Sequence, residues 1–180
     1  MHISLRISIF IPQIFHVKTL LLVRHAKSDW SDGTLSDFDR PLNERGKRDA
    51  PVMAQRLLDK KVAIDLFVSS PAKRAKKTAL TFAEAYGKKK EEVLFIDELY
   101  AASTDTFETV IKKLDDQFTS AAVFSHNPDI TYFANSLADA RIDNMPTCSI
   151  FAVTADCDQW ADFEKAEKQF LFFDYPKNEQ

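Results

Sequence analysis

From Lys18 onward, short apolar runs alternate with longer segments whose apolar positions recur at helical spacing. Thr19–Val23 is a compact apolar run and predicts a buried strand. Ser31–Pro41, rich in Asp and Ser with one Gly, predicts a loop. Asn43–Lys60 has a helical pattern broken by Pro51. Either Asn43 caps a helix that kinks at Pro51, or the helix starts after Asp49 with Pro51 in its first turn. Asp65–Val68 predicts the second strand. Ser70 followed by Pro71 predicts an N-cap and the first position of a helix reaching about Tyr86, ended by Gly87. Val93–Ile96 predicts a strand, Thr104–Leu114 a helix, Ala121–Phe124 a strand, and Pro128 to about Leu137 a helix. Ile150–Thr154 and Phe170–Phe173 predict late strands.

Strand–helix alternation of this kind predicts the α/β class: a three-layer α/β/α sandwich on a mostly parallel central sheet. Residues 18–175 are expected to form one domain. Residues 1–17 are set apart as an N-terminal extension. The stretch MHISLRISIFIPQIFH alternates apolar positions, which suits an edge strand ended by Pro12 or an adventitious addition ahead of a start near Val17. It lacks the long apolar core of a signal peptide or spanning helix.

Composition narrows this only a little. The 180 residues suit a single core, and a net charge of −3 argues neither for nor against nucleic acid. The lysines around Lys73, Lys76 and Lys77, and Lys88 to Lys90, are expected on solvated faces. Cys148 and Cys157 stand in no zinc or CxxC spacing, so reduced, structural thiols in a cytoplasmic protein are expected. No cluster has metal-ligand spacing, and three glycines cannot build a glycine-rich phosphate cradle. The expectation is therefore no metal, no cofactor, and neither nucleic acid nor membrane as partner.

The chemistry collects where the strands end. In open α/β sheets ligands bind beyond the carboxyl ends of the strands. Arg24 and His25 follow the first strand, and Arg74 stands just after the second. Asp97, Glu98 and Tyr100 follow the third, and His126 and Asn127 follow the fourth. Singly, each reads as a paired or solvated side chain. Jointly, two arginines with no obligatory local acid predict a pocket for a dianion, since guanidinium forks match phosphate oxygens. Like charges should keep a histidine between them neutral, with a lone pair able to attack phosphorus.

These residues resemble the histidine phosphatase superfamily. The likeness is greatest to its small phosphohistidine phosphatase branch, the SixA-like proteins, and it implies a phosphoglycerate mutase-like fold. It is carried by LLLVRHAKSDW, DFDRPLNERGKRDA, DLFVSSPAKRAKKTA, DELYAAS and VFSHNPDI, in that order from about Lys18 to Ile130. The resemblance implies that His25 is the nucleophile and that Arg24, Arg74 and His126 bind the phosphate. Ala26 departs from the common Arg-His-Gly, with a side chain small enough to keep the packing. Glu98 matches by position the carboxylate that protonates the leaving group in larger members, with Asp29 and Asp32 as rivals. Ser28 is a candidate phosphate donor. Arg40 is a candidate substrate contact or a partner of Asp37 or Asp39. Asn127 is a candidate to orient His126 or cap the next helix. Trp30 and Tyr100 line the rim or pack.

The short segments Ser31–Pro41 and Tyr100–Thr104 predict an open pocket, suited to a phosphorylated side chain of another protein. The expected activity is a metal-independent phosphatase for phosphohistidine in proteins or another phosphomonoester. The alternatives are a small-molecule phosphatase, for instance for a sugar phosphate, and a non-catalytic phosphoprotein-binding module.

Overall fold

A computed structural model describes residues 17–139 and 141–178, so the alternating N-terminal stretch and its expected edge strand lie outside the described residues. A six-stranded sheet has the order β3-β2-β4-β1-β5-β6. Its strands are β1 (Val17–Arg24), β2 (Leu66–Ser69), β3 (Val93–Phe95), β4 (Ser120–Ser125), β5 (Ile150–Asp156) and β6 (Lys168–Asp174). Strands β1 to β4 pair in parallel, while β5 runs antiparallel to both β1 and β6.

Alternating side chains of β1 feed two separate cores. Leu20 and Leu22 join Phe107 and Phe133 from α3 (Thr104–Lys112) and α4 (Asp129–Leu137). Leu21 and Val23 join Met53, Leu57 and Phe82 from α1 (Glu44–Asp59) and α2 (Lys73–Ala85). The expected three-layer sandwich follows from this strand period of two. Leu20 to Val23 are fully buried, each contributing about 1.5–3 kcal/mol by removal from water. That burial makes the strand's end a rigid mount.

Asn43 caps α1 by accepting from Gly46 N–H, and the helix runs continuously past Pro51, which settles the choice between the two arrangements. Gly46 is required here: a Cβ at that position would lie 2.2 Å from the carbonyl oxygen of Lys27, two residues after the nucleophile candidate. The Ser70 expectation is corrected. Helix α2 begins at Lys73, and its N-cap, Ala72, makes no side-chain capping bond.

Candidate active site

Register brings the candidates together. Arg24 lies opposite Ser125, so His25 and His126 follow side by side, and His25 N–H donates to the Ser125 carbonyl at 3.1 Å. Ser69 lies opposite Phe124, which sets Ser70 beside His126. The His25 and His126 ring centroids are 5.0 Å apart. Cys148, with φ of 63°, donates its N–H to both the Arg24 and His25 carbonyls at 3.1 Å. A non-glycine residue is strained in this region, and here it clamps the strand end.

Arg74 Nε donates to His25 Nε2 at 3.1 Å. A guanidinium has only donors, so Nε2 must hold the lone pair and the proton sits on Nδ1. That proton points to the Ala26 carbonyl at 2.8 Å, which fixes the tautomer. Burial drives the His25 pKa well below its usual value. The Ala26 carbonyl partly offsets this, and His126, Arg74 and Arg24 add to the lowering. The expectation that neighbouring cations keep this ring neutral is therefore corrected in rank: desolvation leads. Burial, then Arg74, likewise lower His126 to about 3.

Thr78 ties this arrangement to α2. Its hydroxyl accepts from Ala26 N–H at 3.0 Å and donates to the Arg74 carbonyl at 2.7 Å. Ser70 Oγ lies 2.8 Å from His126 Nε2 and accepts from Ala72 N–H at 3.3 Å. Two buried polar atoms here have no partner, Arg24 Nε and His126 Nδ1. Buried groups of this kind are costly unless something satisfies them. A bound oxyanion would supply acceptors where Arg24 already has spare donors.

The expectation that the arginines lack a local acid is overturned by Asp37. Arg74 Nη1 donates to its backbone carbonyl at 2.5 Å and Nη2 to its carboxylate at 2.9 Å. Arg40 donates to the same carboxylate from Nε at 3.1 Å, and the Tyr100 hydroxyl does so at 2.9 Å. Burial opposes ionisation of Asp37, but these bonds and the charge of Arg74 outweigh it and hold the carboxyl well below its usual range. Sequence reasoning assigned Asp37 no place in the pocket. The DFDR stretch was a signal, but only as a partner for Arg40.

The structure separates the other candidates. Ser28 is buried and accepts from Arg40 Nη1 at 2.8 Å. Arg40 is buried, pairs with Asp37 rather than Asp39, and stacks under Trp30 at 3.5 Å. Asn127 neither touches the His126 ring nor caps α4. It accepts from Thr131 and donates to Asn144 and to the Met145 carbonyl, the same carbonyl that accepts from Arg24 Nη1 at 2.5 Å. Glu98 is exposed in the 3₁₀ turn after β3 and lines a groove with Thr106 and Lys113, so the structure does not bring it to the histidines. Asp29 and Asp32 accept from Ser31 and Thr34 in local turns of the loop. Cys148 and Cys157 are both free thiols. Among the described residues, no group of three or more His, Cys, Asp or Glu is arranged to hold a metal ion. No helix among them is long and apolar enough to cross a membrane.

Two neutral buried histidines have a consequence for stability. Below about pH 6.5 the unfolded chain takes up protons at these positions that the native state refuses. Stability therefore falls as pH drops from the unfolded value toward about 3, the folded value for His126. The slope is up to about 1.4 kcal/mol per pH unit for each histidine. Ordinary carboxylates titrate near about pH 4, so the interval from about pH 6.5 to 5 isolates the histidines: Tm is expected to fall across it, and His126→Asn to flatten the fall. An unchanged Tm over that interval would refute the shifted histidines.

The family model described as histidine phosphatase superfamily (branch 1) matches residues 20–141. The uncharacterized protein MT1313 of Mycobacterium tuberculosis is 32% identical over 166 residues, covering 86% of this chain and all of that one. The phosphoserine phosphatase 1 of Hydrogenobacter thermophilus is 45% identical over 71 residues, 37% of this chain and 31% of that one. Among solved structures, the candidate phosphohistidine phosphatase SixA of Agrobacterium tumefaciens superposes with a TM-score of 0.72 at 26% identity, covering 87% of this chain and 96% of that one. The protein histidine phosphatase SixA complexed with tungstate superposes with a TM-score of 0.75 at 24% identity, covering 89% and 98%.

Proposed function

The chain belongs to the histidine phosphatase superfamily and is a phosphatase, and from that premise we propose that it hydrolyses phosphohistidine in proteins through a phosphate carried on His25 Nε2, without a metal ion. The observation that carries the reading is the 3.1 Å bond from Arg74 Nε to His25 Nε2, with Nδ1 tied to the Ala26 carbonyl. It leaves one nitrogen with a lone pair and aims it past a guanidinium.

In the first step the Nε2 lone pair forms the new bond to phosphorus, and the substrate's P–N bond breaks. The substrate ring, protonated on its other nitrogen before attack, departs as neutral imidazole, so no strong acid is asked of the protein. In the second step water attacks phosphorus and the P–Nε2 bond breaks, giving orthophosphate and restoring the neutral ring. Arg24, Arg74 and His126 face the equatorial oxygens, where charge spreads in the transition state. The positive charge assigned elsewhere to a divalent cation is supplied by the two guanidiniums. The cytoplasmic placement expected from thin cysteine usage fits both free thiols.

The test is a turnover panel with excess chelator: a phosphohistidine protein, a small phosphomonoester and a sugar phosphate. Phosphohistidine is expected to turn over fastest and to be indifferent to the chelator. Strict magnesium dependence would overturn the metal-free mechanism. Efficient phosphomonoester cleavage with phosphohistidine ignored would move the substrate to the small-molecule class.

A further inference from the structure

The loop between β1 and α1 exposes three large apolar residues, Trp30 at 70%, Leu35 at 37% and Phe38 at 37%, while its Leu42 is buried. Scattered exposed apolar residues need no explanation. What sets Trp30 and Phe38 apart is that each is fixed from beneath by the network that holds the phosphate pocket. The Trp30 ring lies 3.5 Å from the Arg40 guanidinium, which is buried and locked by Asp37 and Ser28. Phe38 meets Tyr100 edge-on at 5.0 Å. Tyr100 in turn meets His126 edge-on at 5.6 Å and donates to Asp37. From Asp37, whose carboxylate touches Arg74, the network thus reaches Trp30 through Arg40 and Phe38 through Tyr100. Aromatic side chains spend little conformational entropy when held in this way, and they favour flat partners by stacking or edge contact.

We infer that the mouth of the pocket is a subsite for a flat aromatic ring bonded to the phosphate, with Trp30 and Phe38 as its specificity-determining side chains. The occupant of that class under the phosphatase reading, on which this inference rests, is the imidazole of phosphohistidine. A serine or sugar phosphate carries no ring face for these residues to meet. Substrate choice is then set by the loop, while Arg24, Arg74 and the histidines set the chemistry.

Binding of phenylphosphonate and methylphosphonate to the full chain, measured by calorimetry, tests this without turnover. Both carry the same anionic head, and only one carries a ring. The parent is expected to bind phenylphosphonate about tenfold more tightly. Trp30→Leu and Phe38→Leu keep an apolar side chain but remove the aromatic face. Each is expected to reduce the phenyl-to-methyl ratio about threefold to tenfold. A ratio near one in the parent, or one unchanged in both variants, would overturn the subsite. Failure of both phosphonates to bind would overturn it together with the phosphate pocket. A ring preference in a chain that forms no phosphoenzyme would overturn the catalytic reading and leave the subsite standing.

Discussion

His25→Ala is expected to lower turnover by at least about four orders of magnitude, the scale on which removal of a covalent nucleophile is felt. The loss should be that large because nothing else in the pocket can take over. His126 lies 5.0 Å away centroid to centroid, but its Nε2 is engaged with Ser70. In the proposed mechanism its place is to meet phosphate oxygens, not to stand in line with the leaving group. The covalent intermediate gives a second readout. With a labelled phosphodonor, the parent should retain label after denaturation, His25→Ala should retain none, and His126→Ala should retain it while turning over more slowly. The alanine leaves a small void at a buried site, so unchanged cooperative unfolding confirms that the chain is intact. Label persisting in His25→Ala would place the nucleophile elsewhere. A parent that takes no label but binds phosphopeptide tightly would favour the binding module.

The pairs of the site that could be read in advance are those that strand logic brings together. Arg24 and His25 extend β1, His126 extends β4, and these strands are adjacent and parallel. An apolar run with a polar end announces such a position before any contact is known. Glu98 shows where that logic stops. It also follows a strand, but the sheet order sets β3 at the edge, with β2 and β4 between it and β1. Its 3₁₀ turn still reaches the pocket, through Tyr100 edge-on against His126, but Glu98 itself is exposed and lines the groove with Thr106 and Lys113, and which residue of a short turn meets the site is a tertiary fact that no local pattern carries. Ser70 failed for a related reason. A serine before a proline reads locally as a helix cap, yet its hydroxyl lies against a histidine 56 residues later. Asp37 sits in a loop with no periodicity at all, and its pairing with Arg74 is created only when α2 docks on the sheet. Of the prolines near helix starts, Pro51 and Pro71 were legible in kind but not in consequence. Pro51 sits inside a helix that passes through it, because packing of Met53 and Leu57 outweighs one missing hydrogen bond.

Arg74→Lys keeps the charge, yet kcat/KM is expected to fall about 10²-fold to 10³-fold, the range seen when one preorganised donor to a transition state is lost. The argument is geometric. Arg74 is buried, and its three nitrogens do different jobs at once: Nε meets His25 Nε2, Nη1 the Asp37 carbonyl, and Nη2 the Asp37 carboxylate. A planar fork can do this because its donors diverge at fixed angles; an ammonium is a single point on a flexible stem. Lysine drawn to Asp37 abandons the histidine, and lysine drawn to the histidine leaves the carboxylate beside the entering phosphate. In the proposed mechanism the Nε–H also has two successive partners. Before reaction it holds the Nε2 lone pair in place. Once that pair is committed to phosphorus, the same N–H is released to the phosphoryl oxygens. Lysine can neither aim the ring nor make that exchange, so most of the loss should appear in kcat rather than KM. Asp37→Asn gives the control: Arg74 keeps its carbonyl contact and all of its donors, so the loss should be much smaller than in Arg74→Lys. An Arg74→Lys variant within about threefold of the parent would show that charge alone suffices and that the fork geometry is incidental.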